Sequence, residues 1–412
     1  MELMPGYKRS DVGVIPEDWD VGAIGDAFEI RNQLRQPISQ SVRERMVGPY
    51  PYYGPTSVQG WINEYRIEGE HALIGEDGDH FLKWRDQAMT LLVTGRFNVN
   101  NHAHIVRGTN NLTSWFYWFF ANRDITSYLT RQGAGRYKLT KATLEKLPCA
   151  IPPLDEQRAI AQALSDVDAL LATLGQVIAK KRDLKQATMQ QLLTGEKRLP
   201  GFSGDWELKS FGDLFDFSGG YSASRDQLSN EGHCYLHYGD IHGSTKTCVN
   251  TRRDFLDIPK LSISLERISE GSLLKHGDVV FVDASEDDAG TSKHLVIENE
   301  DDVPFISGLH TIVAKSKTND LAHAYKHYCF KTPAIRQQFM FYAVGTKVSG
   351  ISKTNIAKLT LPIPSTPEQV AIAAVLSSMD VELATLEARR DKTRNIKQAM
   401  MQELLTGRTR LV

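Results

Sequence analysis

EQRAIAQALSDVDALLATLGQVIAKKRDLKQATMQQLLTGEKRL, residues 156–199, recurs 212 positions later as EQVAIAAVLSSMDVELATLEARRDKTRNIKQAMMQELLTGRTRL, residues 368–411, with 25 identities in 44 positions. A repeat of this quality sets the architecture before any local reading does. Apolar residues in the first copy fall at Ile160, Leu164, Val167, Leu171, Leu174 and Ile178, in alternating steps of four and three. The second copy follows with Ile372, Leu376, Met379, Leu383 and Leu386, then places Arg390 where Ile178 stood. That period is a coiled-coil seam. Pro152-Pro153 stops the preceding element, Asp155 is the expected N-cap, and Gly195 and Gly407 are natural stops. Each helix then runs about 40 residues, or roughly 60 Å.

Two such stripes in one chain pack most simply against each other as an antiparallel pair, although a homodimer zipper has the same seam. The clusters Lys180, Lys181, Arg182, Lys185 and Arg389, Arg390, Lys392, Arg394, Lys397 read as solvated faces or as contacts to DNA or a partner.

The flanks repeat with a different offset. Trp19, Gly25-Asp26 and Phe28 match Trp206, Gly212-Asp213 and Phe215 at 187, so the second unit is 25 residues longer before its helix. The interiors hardly align. A common frame holding two modules with different binding tasks explains this, as does an old duplication whose interiors drifted. Residues after Arg198-Leu199 resemble Gly13 to Trp19, whereas Arg410-Leu411 precede only Val412. A ring-like arrangement with adjacent termini and a pseudo-two-fold axis follows. The expected fold class is α+β: α/β heads over 1–150 and 200–362, with long helices over 151–199 and 363–412.

At 412 residues, two or three domains are expected. With 41% apolar and 24% charged residues, the chain reads as soluble, with no signal sequence and no stretch apolar enough to span a bilayer. Four scattered cysteines fit a reducing cytoplasm. A net charge of −2 counts against unaided binding of a polyanion. Local basic groups, or a partner that contacts phosphates, would reconcile it.

Inside each head, short strands alternate with Gly, Asn and Asp turns, for example His71–Ile74, Met89–Val93, His104–Val106, Val279–Val282 and Thr311–Val313. Aromatic segments, Trp115 to Phe120 and Tyr325 to Phe330, read as helices packed in a core, with base stacking the minority reading. After them come Gly133 to Lys138 and Gly345 to Gly350, each leading into a short helix near Thr140 or Ser352. Such loops are phosphate cradles or plain turns.

Candidate DNA-contacting residues in the first head are Gln33, Arg35, Tyr53, Ser57, Arg96, Asn98, Asn100, Asn101, Gly133, Arg136, Tyr137 and Lys138. In the second they are Ser222, Ser224, Arg225, Tyr238, Asp240, Ser285, Glu286, Ser307, His310, Thr346, Lys347 and Ser349. Arg reads guanine bidentately, Asn or Gln reads adenine, and carboxylates accept from cytosine N4. Each residue alone is a weak signal.

Chemistry is scarce. The sequence has no nucleotide-binding GxxxxGK[ST] loop and no Asn/Asp-Pro-Pro-aromatic motif. His102-Ala-His104 and His233…His237 lack further ligands, so no metal site is expected. Asp283, Glu286, Asp287 and Asp288 lack the lysine and second carboxylate of a nuclease. No catalytic residue is assigned.

The chain resembles the specificity subunit of a type I restriction-modification system. The carrying motifs are Gly13-Val-Ile-Pro-Glu-Asp-Trp19, Pro51-Tyr-Tyr-Gly54, Leu73-Ile-Gly-Glu-Asp-Gly78 and Asn100-Asn-His-Ala-His104. Ile151 to Gln157, Gln190 to Gly195, Leu199 to Trp206, Val279 to Glu286 and Ile363 to Gln369 complete them. The resemblance implies two target-recognition domains, each reading half of an asymmetric bipartite site in double-stranded DNA. It also implies a coiled coil that sets the gap and docks two methyltransferase subunits carrying S-adenosylmethionine. Two restriction subunits would add ATP- and Mg-dependent translocation and cleavage. No cofactor on this chain and no membrane partner are implied. A stand-alone DNA-binding protein and an enzyme with an unrecognised site are the competing readings; co-purification with a methyltransferase separates the first of these from the family reading.

Overall fold

The computed structural model describes residues 5–132, 136–244, 246–285, 292–345 and 349–411. The chain divides into two compact units, Met1–Gly175 with Ala388–Val412, and Gln176–Glu387. Both long helices form where the apolar period placed them, Leu154–Leu193 and Thr366–Leu404. Asp155 is not the cap. It lies inside the first turn, exposed and 2.7 Å from Arg158, while the Pro153 carbonyl accepts from Gln157 N. A proline needs no donor at a helix start, and a carboxylate in the first turn suits the positive end of the dipole. Gly195 and Gly407 follow the helices in left-handed conformations, with φ of +74° and +69°.

The seam is real, and its outer parts serve the heads. Ile160 and Leu164 join the core of unit 1, and Ile372 and Leu376 that of unit 2. Leu174, Ile178 and Leu383 are buried, while Val167, Leu171, Met379 and Leu386 are half-buried. Arg390 interrupts the stripe, bonds Asp391, and leaves Thr393 as the next buried position. Antiparallel packing within the chain is fixed by ion pairs. In unit 2, Lys181 meets Glu382 at 2.7 Å, and Lys185 and Arg182 bond Asp380 and Glu387. In unit 1, Lys397 meets Asp168 at 2.6 Å. Several of the basic residues are therefore interhelical partners rather than an idle solvated face.

Thr366–Leu404 is the one described helix whose length and composition would permit a membrane crossing, which departs from the sequence expectation. Its apolar content serves two faces at once. Ile372, Ala373 and Leu376 are in the core, while Val370, Val375 and Val381 are exposed.

In unit 1 an antiparallel sheet runs in the order Phe28–Ile30, Ala103–Gly108, His71–Gly75, Thr90–Val93. Helix Thr113–Ala121 covers it and buries Trp115, Phe116, Trp118, Phe119 and Phe120. These rings are core, so base stacking on them is closed off. A second sheet, ordered Val58–Ile62, Val47–Tyr53, Arg96–Val99, Ile67–Glu68, contains one parallel pairing.

Unit 2 has the same order: Phe215–Gly219, Thr311–Ser316, Val279–Val282, His294–Glu298. It adds the parallel edge strand Cys248–Asn250. Helix His323–Cys329 follows, with Tyr325 and Tyr328 buried. The interiors that hardly align in sequence therefore share the order of the main sheet, and they differ in loops, in that added strand and in the second sheet, which in unit 2 runs Leu228–Ser229, Lys260–Leu261, His233–Leu236, Phe305–Ser307. Strands need only a period-two apolar pattern, which many sequences satisfy. The expected short helices also form, at Lys141–Lys146 and Lys353–Ile356, capped by Thr140 and Ser352.

The repeated residues build one frame in each unit. Trp19 Nε1 donates to Glu156 Oε2 at 2.8 Å, and Arg410 donates to both oxygens of that carboxylate. Trp206 Nε1 donates to Glu368 Oε2 at 3.3 Å, and Arg198 completes the set. The tryptophan and glutamate come from one repeat and the arginine from the tail of the other repeat's helix. Gln157 and Gln369 each accept from the backbone N–H at the head of the aromatic helix, Leu112 or Ala322. The N-terminal segment meets the C-terminal one directly: Tyr7 Oη donates to the Gly407 carbonyl at 3.0 Å, and Arg410 reaches Asp18 at 2.7 Å.

Candidate nucleic-acid interface

In unit 1 the loop after Phe28–Ile30, the loop after His71–Gly75 and the start of Ala103–Gly108 converge. Arg35 donates to Glu76 Oε2 at 2.7 Å, and its second nitrogen lies 2.8 Å from His104 Nδ1. Lys138 approaches the other Glu76 oxygen at 3.5 Å. His102 pairs with Asp77 at 2.9 Å, and Arg131 donates to Tyr137 Oη at 2.6 Å. His104 is fully buried. It donates from Nε2 to the Leu139 carbonyl, so Nδ1 is free to accept from Asn32 and Arg35. Burial pushes its pKa down to about 4, with Arg35 adding to the effect. It is a neutral brace for Arg35.

A groove of about 440 Å³ opens beside this cluster, lined in part by Arg43, Gln59, Asn101 and His102. Gln33, Ser57, Asn101 and Arg136 are exposed, whereas Arg35, Tyr53, Tyr137 and Lys138 are half-buried. Arg96 lies apart, at the far end of its strand and bonded to Glu68 at 3.0 Å. Asn98 and Asn100 are buried. Asn98 Nδ2 donates to the Glu64 carbonyl, and Asn100 holds Gln59 and the His102 backbone. Asn98 shapes its loop, and Asn100 lines the groove with its amide held by Gln59. Gly133 lies outside the described residues.

Unit 2 gathers a matching set. Arg225 donates to Asp240 Oδ1 at 2.8 Å and lies 3.3 Å from His237 Nδ1. Tyr238 stacks edge-on to His310 with centroids 5.5 Å apart, and His310 Nδ1 is 3.4 Å from Asp283. Burial raises the Asp283 pKa while His310 opposes the shift. His310 holds a φ of +60°, a strained conformation for a non-glycine residue at a loop tip. The buried Tyr235 hydroxyl ties the loops together, donating to the Tyr221 carbonyl and accepting from Ala223 N and Leu309 N. Ser222, Ser224, Arg225, Tyr238 and His310 are exposed. Ser307 is buried against Thr311, and Ser285 is buried opposite Ser349 in a two-stranded pair. Glu286, Thr346 and Lys347 lie outside the described residues.

The sequence alone did not show His102, Asp77, Glu76, Arg131 and Tyr235 as parts of these clusters. Glu76, Asp77 and His102 stood inside motifs already singled out, which was the available signal. Tyr235 gave none, since a tyrosine in an apolar strand reads as core.

The Type I restriction modification DNA specificity domain matches this chain twice, over residues 16–180 and 203–393. The type I restriction enzyme MjaVIII specificity subunit of Methanocaldococcus jannaschii is 24% identical over 96% of this chain and 94% of its own length. A Haemophilus influenzae protein named as a type I restriction enzyme specificity subunit is 35% identical over 36% of this chain, and the match spans 37% of that relative. Among solved structures, the S subunit of a type I restriction-modification system from M. genitalium superposes with a TM-score of 0.60. That match has 14% identity over 98% of this chain and 99% of the other. A chain solved for assembly and conformational transition of the type I R-M system gives 0.52, at 14% identity over 95% and 99% of the two chains. Two heads with the same main-sheet order, carried on one repeated helical frame and matched twice by the same domain, place the chain in the family of type I restriction-modification DNA specificity subunits.

Proposed function

We propose that each head reads one half of an asymmetric bipartite site in double-stranded DNA, that the long helices set the gap, and that the same helices dock methyltransferase subunits. The observation that carries this reading is the pairing of one frame with two different loop sets. Both sets hold an arginine on a carboxylate, but the first surrounds Arg35 with Glu76, Lys138 and the buried His104, and the second surrounds Arg225 with Asp240, His237 and the exposed Tyr238 and His310. A wrong base costs about 1–3 kcal/mol, so one short half-site discriminates poorly and two read together add their penalties.

Docking is supported by apolar residues left open on the helices. Leu170, Val177 and Leu184 are exposed at seven-residue spacing on the first, and Val370, Val375 and Val381 on the second. The chain is non-catalytic by itself in this reading. S-adenosylmethionine belongs to two methyltransferase subunits, and ATP with Mg to two restriction subunits. The partners also reconcile a net charge of −2 with phosphate contact.

The test is a base-resolution methylation map of cells carrying this chain with its methyltransferase. One asymmetric bipartite motif with methyladenine in each half is expected; a continuous motif, or no new methylation, overturns the reading. Inserting four residues, about one helical turn, near Leu192 to Gly195 should widen the gap and keep both half-sites. Altered half-sites would refute the ruler role.

A further inference from the structure

The added edge strand of unit 2 brings metal-ligating side chains together. Cys248 on that strand, Glu298 at the end of His294–Glu298 and His327 on His323–Cys329 place a sulfur, a carboxylate oxygen and an imidazole nitrogen within 4.8 Å of one another. Asn250 pairs with Glu298 and Cys248 with Val296, so the two strands enter the cluster side by side. His323 stands one turn before His327, on the same helical face. Glu298 Oε1 lies 2.7 Å from His323 Nε2 and 2.9 Å from His327 Nε2.

We propose that Cys248, Glu298 and His327 bind one transition-metal ion of the Zn²⁺ class, with a water completing the shell, as a structural tie in the second head, and that His323 orients Glu298. One thiol, one imidazole and one carboxylate favour Zn²⁺ or Co²⁺ over Mg²⁺ or Ca²⁺. The outer sphere is also in place: His327 Nδ1 is 3.3 Å from Thr247 Oγ1, and a proton donated there leaves Nε2 to the ion. Ligand atoms around a tetrahedral Zn²⁺ with ~2.0–2.1 Å bonds sit about 3.3 Å apart, so binding opens the Glu298–His327 contact of 2.9 Å by a few tenths of an ångström. Entry is available through a cavity of about 730 Å³, which His276 and His323 both line.

A physical need exists as well. In unit 1 the corresponding helix Thr113–Ala121 is anchored by five buried aromatic rings. Helix His323–Cys329 carries His323, Lys326 and His327 among its seven residues. A metal bridge to two strands adds to the packing of Tyr325, Tyr328 and Cys329, which carries fewer rings than the helix of the first head. Ligands spread from 248 to 327 leave no local spacing motif, so the sequence is silent about this site.

The full-length chain, stripped with EDTA, should take up one equivalent of Co²⁺ with tetrahedral d–d bands and a thiolate charge-transfer band. Zn²⁺ should displace the Co²⁺ and raise the melting temperature of the stripped chain. Cys248→Ser should abolish the charge-transfer band, His327→Ala should weaken binding more than about tenfold, and Cys329→Ser should change neither. Absence of stoichiometric Co²⁺ binding, or a charge-transfer band that survives Cys248→Ser, overturns the proposal. Should Cys248→Ser not fold by circular dichroism, X-ray absorption at the zinc edge of the wild-type chain decides. One sulfur with one imidazole is expected, and a sulfur-free shell refutes the site.

Discussion

Arg410 and Glu156, 254 positions apart, form a two-point ion pair whose carboxylate is wholly buried while the guanidinium is 27% exposed. The asymmetry decides what the pair is worth. A buried carboxylate without its cation is far costlier than a surface arginine without its acid. Arg410→Ala should therefore lower the stability of unit 1 by about 3–5 kcal/mol. Glu156→Gln in the same chain should recover part of that loss, because a neutral amide tolerates burial without a cation. Urea unfolding of the four members of this cycle checks it, and a purely additive cycle would show that the pair is not coupled.

Gly407 and Gly195 end equivalent helices but face different neighbours. A Cβ on Gly407 would meet Pro16 Cδ at 2.5 Å, whereas one on Gly195 would meet the Trp206 ring at 3.5 Å. Both positions carry the left-handed penalty of about 1 kcal/mol for a side chain. Gly195→Ala should cost about that much, and Gly407→Ala clearly more, because Pro16 and Trp19 must also move. Thermal melts of the two variants, which should rank in that order, test the difference.

His104 gives the first head an acid-sensitive element. Its folded pKa of about 4 lies below the ordinary value of 6.5. The unfolded chain therefore takes up the proton first as the pH falls. The stability contributed by this group is complete above about pH 6.5, drains between 6.5 and 4, and is flat below. Its size is on the order of 3 kcal/mol. The neighbouring Arg35, Glu76 and Lys138 enter the same balance. Buried His294 in unit 2, pushed down to about 3, has the same sign. His104→Gln should flatten the pH dependence of unit 1 alone, read by hydrogen exchange at the Ala103–Gly108 amides between pH 4 and 7.

Arg225 and Asn98 are both base-edge readers by type, and they should behave in opposite ways. Arg225 is exposed and aimed by Asp240. Arg225→Ala should relax one position of the second half-site by about 1–3 kcal/mol and leave the first half-site unchanged. Asn98 is buried with its amide on the Glu64 carbonyl. Asn98→Ala should cost about 1–3 kcal/mol of stability with the base preference intact. Methylation maps for the two variants, with a melt for each, separate reading from shaping.

Those two residues also show how far the sequence carries. Periodicity found both long helices, their glycine stops and the aromatic core helices, because each of these rests on contacts a few residues apart. Asp155 was misplaced by two positions, since an acidic residue suits the cap and the first turn alike. Ranking Asn98 beside Arg225 failed for a different reason. Whether a polar side chain in a strand faces solvent depends on what packs over it from elsewhere in the chain, here the loop at Glu64. The exchange of arginines between the repeats was equally hidden, because Arg198 and Arg410 look like charged tails until Glu368 and Glu156 are placed beside them.

That exchange bears on what half of this chain would do. A fragment ending after the first long helix carries Trp19 and Glu156 without Arg410, together with an Arg198 that has no Glu368 to meet. Because the two tails are near copies, a second molecule of the same fragment can supply each missing arginine to the other. Such a pair would be two-fold symmetric, with identical loops at both ends, and its target would be a palindrome instead of the asymmetric site that two unlike heads select.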